Sequence, residues 1–285
     1  TDPVTGGNPE LLCATITVPR DYLTPDGPTI ELAVALLPAA DQANKVGTLL
    51  LNFGGPGASG INILAESGRG VVPAEIGNRF DLVTWDPRGV NRSAPVECLS
   101  DAEMDDWAAT PGIPDRPTAK DWTAALNDAQ WFADKCKAGT GEMLAYIGTT
   151  ASARDMESIR VGLGVPKLDY LGFSYGTELG ATYIALFPKR VGRFVLDGAV
   201  DPTLSSAQGT VNQVAGFDKA FRSYLSDCLA TTDCPFTGGV ESALKQVGGL
   251  LEKLETSQLP TQYDRDAGLT VALYGIIAAL YAEQS

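Results

Sequence analysis

Apolar residues along this chain fall into short uninterrupted runs and longer periodic stretches, and the alternation between the two predicts the architecture. Gly47 to Phe53 (Gly-Thr-Leu-Leu-Leu-Asn-Phe) is a brief apolar run that leads into glycines, and Phe80 to Trp85 is another, followed by Asp-Pro-Arg-Gly. Strands buried on both faces read this way, because neither side of the pleat meets water. Lys167 to Phe173 and Arg193 to Asp197 predict two more strands. Ahead of them, Ala14 to Pro19 and Thr29 to Leu37 are β-rich and separated by the turn Thr-Pro-Asp-Gly-Pro. Helical periods lie between the strands. Thr150 to Leu163 reads as an amphipathic helix, apolar at Met156, Ile159, Val161 and Leu163, and Tyr175 to Phe187 reads as a second. Strands alternating with helices imply right-handed crossovers and a mostly parallel sheet.

Two stretches break this rhythm. Ser100 to Lys137 is polar and helical, interrupted by Pro111, Pro114 and Pro117. From Gln208 onward only helical periods and loops remain, and the last helix, Val271 to Ala282, reaches Ser285 without glycine or proline punctuation. The division expected is residues 1–202 as the N-terminal part of an α/β core and 203–285 as an incomplete helical cap.

The 285 residues, 44% apolar and 20% charged, suit one large α/β domain or a domain with an insertion, and exclude disorder, collagen and coiled coil. The longest apolar candidate for a membrane span, Leu269 to Tyr281, is too short to cross, so no membrane partner is expected. A net charge of −14 repels phosphate backbones and makes nucleic acid a poor partner. That charge favours a cationic substrate group, although solubility is explanation enough. No histidine occurs in the chain, which excludes both a histidine-ligated metal site and a complete Ser-His-Asp triad within these residues.

Cys13, Cys98, Cys136, Cys228 and Cys234 form no C-x-x-C pair, so zinc and thioredoxin-like chemistry are not expected. Cys228 and Cys234 flank a short polar loop that suits a local disulfide, and Cys98 and Cys136 flank the helical insertion and can staple it. Free buried thiols are the other reading, and Cys13 is left unassigned. The start, Thr-Asp-Pro-Val-Thr-Gly-Gly, is similar to the polar beginning of a processed, exported protein.

The candidate chemistry centres on Gly172-Phe173-Ser174-Tyr175-Gly176, a G-x-S-x-G sequence between a strand and a helix. In that context Ser174 sits on a sharp turn that lifts its hydroxyl above the sheet. Neighbouring chain then crowds the positions two before and two after, which must lack side chains. Gly180, one turn on, lets the helix lie close to the sheet. A serine nucleophile also needs two backbone N–H donors for the developing oxyanion. Tyr175 supplies one, and the loop Asn52-Phe53-Gly54-Gly55-Pro56-Gly57-Ala58-Ser59-Gly60 supplies the other, most plausibly from Gly55. That loop also reads as a glycine-rich turn or a phosphate loop, but it lacks the lysine of G-x-x-x-x-G-K-[ST] and the spacing of G-x-G-x-x-G. Trp85-Asp86-Pro87-Arg88-Gly89 is read mainly as a tight turn in which Asp86 and Arg88 fix loops beside the site, with substrate binding by Arg88 as a lesser reading. Glu178, four residues after Ser174, shares its helix face and is either a substrate-amine ligand or a solvated or salt-bridged residue. Asp197 ends the next strand, where some hydrolases place a triad acid, and is read as structural.

Taken in order, Gly-Gly-Pro-Gly, Asp-Pro-Arg-Gly, Gly-Phe-Ser-Tyr-Gly-Thr and Val-Leu-Asp-Gly-Ala-Val-Asp-Pro resemble secreted tripeptidyl aminopeptidases, of the prolyl aminopeptidase-like branch of the α/β-hydrolases. The likeness runs from about Cys13 to Pro202 and weakens in the cap. It implies an α/β-hydrolase fold, Ser174 as nucleophile, Tyr175 and Gly55 as oxyanion donors, no cofactor, and a peptide substrate cut into tripeptides from its free N-terminus. In that family the triad aspartate and histidine lie on later strands, beyond the cap. One reading makes this chain the N-terminal part of a longer secreted enzyme whose C-terminal remainder supplies both; the other makes it an inactive truncated relative. An esterase or amide hydrolase, or a binding protein that kept the pocket and lost the base, are the functional alternatives.

Overall fold

The computed structural model describes residues 8–110, 117–262 and 266–281. The polar start Thr1 to Gly7, the breaks at Pro111 and Pro114, and the helix end from Ala282 to Ser285 lie outside the described residues. The strands are β1 (Leu12–Pro19), β2 (Thr29–Leu37), β3 (Gly47–Asn52), β4 (Phe80–Trp85), β5 (Leu168–Phe173) and β6 (Val191–Asp197). The helices are α1 (Gly60–Ser67), α2 (Ala74–Arg79), α3 (Asp101–Ala109), α4 (Ala119–Thr140), α5 (Thr149–Gly162), α6 (Tyr175–Leu186), α7 (Ser206–Leu229), α8 (Val240–Leu254) and α9 (Leu269–Ala279). One sheet runs in the order β1-β2-β4-β3-β5-β6. β1 and β2 are antiparallel to each other and β2 is antiparallel to β4, while β4, β3, β5 and β6 are parallel.

The continuous apolar runs arise because consecutive residues of the central strands enter different cores. Leu50 and Val83 pack with Met156 and Ile159 of α5 and Leu179 and Tyr183 of α6. Their neighbours Leu51 and Leu82 pack on the opposite face with Ile61 and Leu64 of α1. Helices therefore cover both faces, as a mostly parallel sheet requires. One position of the expected α5 stripe is corrected. Val161 is 61% exposed, because it lies off the i, i+3, i+4 row on which Met156, Ile159 and Leu163 are in contact with the core.

The chain divides into two compact units, residues 1–98 with 136–203 and residues 99–135 with 204–285. The sequence's division after residue 202 does not set the 99–135 segment apart. In the first unit, the expected Cys98–Cys136 disulfide joins the points where that segment leaves and returns. Beside it, Thr140 Oγ1 accepts from the Glu97 N–H at 2.8 Å and donates to the Glu97 carbonyl at 3.1 Å. In the second unit, α3 opens with a Ser100–Glu103 capping box, and Trp107 stacks on Phe132 of α4 at 4.8 Å. Cys228, in the last turn of α7, and Cys234, just beyond it, form the second expected disulfide. Cys13 is exposed on β1 and belongs to neither.

Arg88 follows the main of its two readings, as a structural residue, and the lesser one, substrate binding, is corrected. Its side chain is fully buried, and all five guanidinium N–H groups have protein acceptors. Nε and Nη2 grip the Asp155 carboxylate of α5 at 2.7 and 2.6 Å, and the remaining donors reach the carbonyls of Pro19, Arg20 and Tyr146. No donor is left for a substrate, so Arg88 is the structural clamp between the end of β1 and α5. Tyr22 Oη completes the knot by donating to Asp155 at 2.8 Å. Removing one partner of such a pair strands a charge in the interior. Arg88→Met is expected to lower unfolding free energy by about 3–5 kcal/mol in urea titration, and the double variant Arg88→Met/Asp155→Leu by less than the sum of the single losses.

Candidate active site

β5 ends at Phe173, and the chain turns into α6 through Ser174, whose φ of +52° and ψ of −122° are foreign to ordinary L-residues. Three contacts hold it there. The Ser174 N–H donates to the Asp197 carbonyl at the end of β6 at 2.9 Å. The Ser174 carbonyl accepts from the Thr177 N–H at 2.8 Å and from Thr177 Oγ1 at 2.6 Å. Tyr170 Oη, buried beneath the turn, donates to the Gly176 carbonyl at 2.7 Å. The crowding expected of this motif is present: a Cβ on Gly172 would stand 2.4 Å from the Gly176 carbonyl oxygen, and one on Gly176 would stand 2.8 Å from that of Asn52. At Gly180 a Cβ would stand 2.7 Å from the Tyr170 ring, so the close approach of α6 to the sheet also depends on a missing side chain. Ser174 itself is exposed.

The glycine loop after β3 lies against this elbow. Gly54 adopts φ +90°, and a Cβ there would come within 2.7 Å of the Phe173 carbonyl oxygen, 3.0 Å of Ser174 Cβ and 3.4 Å of the Tyr175 nitrogen. Its own N–H donates to Asn52 Oδ1 at 3.0 Å. The next amide of the loop, that of Gly55, has no partner among the described residues, and the Tyr175 amide at the start of α6 has none either. An unused N–H directly after the serine, at the positive end of a helix, and another on the loop whose Gly54 packs against the elbow are groups of the kind that can receive a developing negative charge.

Around this centre the candidate residues separate. The Tyr175 phenol shares a hydrogen bond with Thr149 Oγ1 at 2.9 Å, and burial pushes its titration upward, with nearby Glu178 adding to the effect, so the ring stays neutral. Glu178 is half-buried, and its carboxylate has no hydrogen-bond or ion-pair partner among the described residues. Asp197 acts through its backbone carbonyl, while Arg88 is occupied in its buried clamp. Asn52, Gly54, Tyr170 and Thr177 were given no role by sequence reasoning. A signal existed for Thr177, which directly follows the G-x-S-x-G pattern, but none for Tyr170, whose role depends on strand-to-helix packing.

Gly54 and Gly57 offer a controlled comparison. Both have positive φ, but nothing lies within 4 Å of a Cβ added to Gly57. Gly54→Ala is therefore expected to cost more unfolding free energy than Gly57→Ala, which carries only a backbone penalty of about 1–2 kcal/mol, as measured by urea titration of the two variants.

Residues 47–266 match the family model for the alpha/beta hydrolase fold. The chain is 36% identical to serine protease Hip1 of Mycobacterium tuberculosis, over 98% of this chain and 56% of that protein. It is 39% identical to carboxylesterase B of the same organism, over 95% of this chain and 52% of that protein. To tripeptidyl aminopeptidase of Streptomyces lividans it is 36% identical, over 79% of this chain and 42% of that protein. The chain spans about half the length of the curated relatives it matches. A strand–turn–helix elbow, a glycine loop against it, and likeness along nearly the whole chain agree: the chain belongs to the alpha/beta hydrolase family.

Proposed function

We propose that the chain carries the nucleophile and oxyanion donors of a secreted serine exopeptidase that releases tripeptides from free N-termini. The observation that carries this reading is the exposed Ser174 on its elbow, followed by the unused amide of Tyr175 and packed against Gly54 of the loop that carries the unused amide of Gly55. Ser174 Oγ attacks the scissile carbonyl and the oxygen's new charge rests on the two N–H groups, a contribution of about 2.7–4 kcal/mol per donor. The serine proton passes to a histidine and then to the departing amine. Water repeats the attack on the acyl-enzyme and frees the peptide.

No histidine occurs in these residues, so we assign the base and its acid to a further segment of the same polypeptide. Two observations support that assignment. The relatives are about twice as long. Among the described residues β6 is an edge strand on which Val195 is 58% exposed, and a further strand paired parallel to it would run its C-terminal end toward Asp197 and Ser174, the rim where α/β sheets collect their functional groups. Glu178, carboxylate unpaired and one helical turn from Ser174, is our candidate for the substrate's terminal ammonium. Two disulfides favour an oxidising compartment outside the cytosol, and no helix among the described residues is long and apolar enough to cross a membrane.

The full-length polypeptide is expected to take a fluorophosphonate label on Ser174, and Ser174→Ala to abolish labelling and lower turnover of a free tripeptide anilide at least about 10⁴-fold. Unchanged labelling of that variant overturns the assignment. Glu178→Gln is expected to raise KM about tenfold for the free tripeptide anilide and to leave its N-acetylated counterpart unaffected, measured by steady-state kinetics. The relative named carboxylesterase B supports a second reading, an esterase on the same scaffold. Faster turnover of simple esters than of any tripeptide anilide would favour it, and a full-length protein inactive on both would indicate a binding relative.

A further inference from the structure

Apart from Pro56, whose ring fixes its own φ, the glycine loop has little stiffness of its own. Gly54, Gly55 and Gly57 all adopt positive φ, a region that glycine enters freely and leaves as freely. A donor on such a loop holds its place only if both ends of the loop are fixed. At the near end, Asn52 Oδ1 receives the Gly54 N–H. At the far end stands Asp86, directly after β4 and fully buried.

Asp86 receives four hydrogen bonds. Ser59 Oγ donates to Oδ1 at 2.6 Å, and the Ile61 N–H in the first turn of α1 reaches the same oxygen at 3.4 Å. The Arg92 N–H and Nη1 reach Oδ2 at 3.3 and 3.1 Å. Ser59 closes the loop and caps α1. While its proton goes to Asp86, its oxygen accepts from the Asn62 N–H at 3.2 Å and from Asn91 Nδ2 at 3.3 Å. Arg92 Nη1 also reaches Asn62 Oδ1 at 2.9 Å, so the Asp86–Arg92 pair grips α1 on both sides of its first turn. The fit is tight: a Cβ on Gly60 would stand 2.7 Å from the Trp85 carbonyl oxygen, leaving α1 no room to shift toward β4. Anionic Asp86 also lies at the positive end of the α1 dipole.

We propose that Asp86, acting through Ser59, is a positioning residue for the oxyanion donor of the glycine loop. This inference rests on the serine-hydrolase reading above and adds a group to it that touches neither substrate nor reacting atoms. An oxyanion donor acts fully only when it is already in place as charge develops, so loosening the far anchor affects the transition state more than substrate binding.

The test uses the full-length enzyme and the variants Ser59→Ala, Ser59→Thr and Asp86→Asn. Ser59→Ala removes the bridge without placing an unpaired charge in the interior, and Ser59→Thr keeps the hydroxyl. Ser59→Ala and Asp86→Asn are expected to lower kcat on a tripeptide anilide about 10–100-fold with KM within about twofold, and to slow fluorophosphonate labelling of Ser174 in parallel. Ser59→Thr is expected to restore most of the rate. If Asp86→Asn fails to fold, the serine pair alone decides. A folded Ser59→Ala enzyme with unchanged kcat, or with a raised KM alone, reduces the network to a helix cap and overturns the proposal. A wild-type enzyme that takes no label on Ser174 overturns the hydrolase reading itself, a result distinct from either.

Discussion

The hydrogen bond from the Ser174 N–H to the Asp197 carbonyl ties the elbow to the neighbouring strand, and the rim of the sheet is organised around it. A serine at φ +52° carries a conformational cost of about 1–3 kcal/mol that the turn alone does not offset. Thr177 contributes by clasping the serine carbonyl twice, and its hydroxyl oxygen in turn accepts from the Val200 N–H at 2.8 Å. Tyr170 supports the turn from below. The strain is thus overdetermined from β5, β6 and the segment after β6 together. This explains how a residue in so costly a conformation can also remain exposed.

Two fully buried aspartates, Asp86 and Asp155, do different work. Asp155 meets Arg88 in a bidentate pair, inside a knot that gathers the end of β1, the turn after β4 and α5. Asp86 stands two residues from Arg88 in sequence, yet serves the glycine loop and α1. One short stretch after β4 therefore braces the fold through its arginine and the candidate site through its aspartate. Charges are used for both tasks because each carboxylate can collect several donors from segments distant in sequence and so fix their mutual geometry.

The sheet was legible in the chain's rhythm because its central strands are buried on both faces: β4 has the bounds that its apolar run predicts, and β2 those of the β-rich stretch before it. α5 was legible in outline, but Val161 showed that an apolar residue near a stripe need not lie on it. The elbow could be read because its crowding dictates glycine at fixed offsets from Ser174. Beyond the elbow, legibility fell with sequence distance. Arg88 could not be resolved between clamp and ligand, since its acceptors lie at Pro19, Arg20, Tyr146 and Asp155. Within the loop, the division of labour between Gly54, which packs on the elbow, and Gly55, whose amide is left unused, depends on a side-chain acceptor at Asn52 that composition does not announce.

The Cys98–Cys136 bond joins the two places where a long segment departs from the sheet-bearing unit and rejoins it. The bond pins the two ends of that excursion to each other, so the unfolded chain cannot spread freely between residues 98 and 136, a lost freedom that favours the folded state by about 4 kcal/mol.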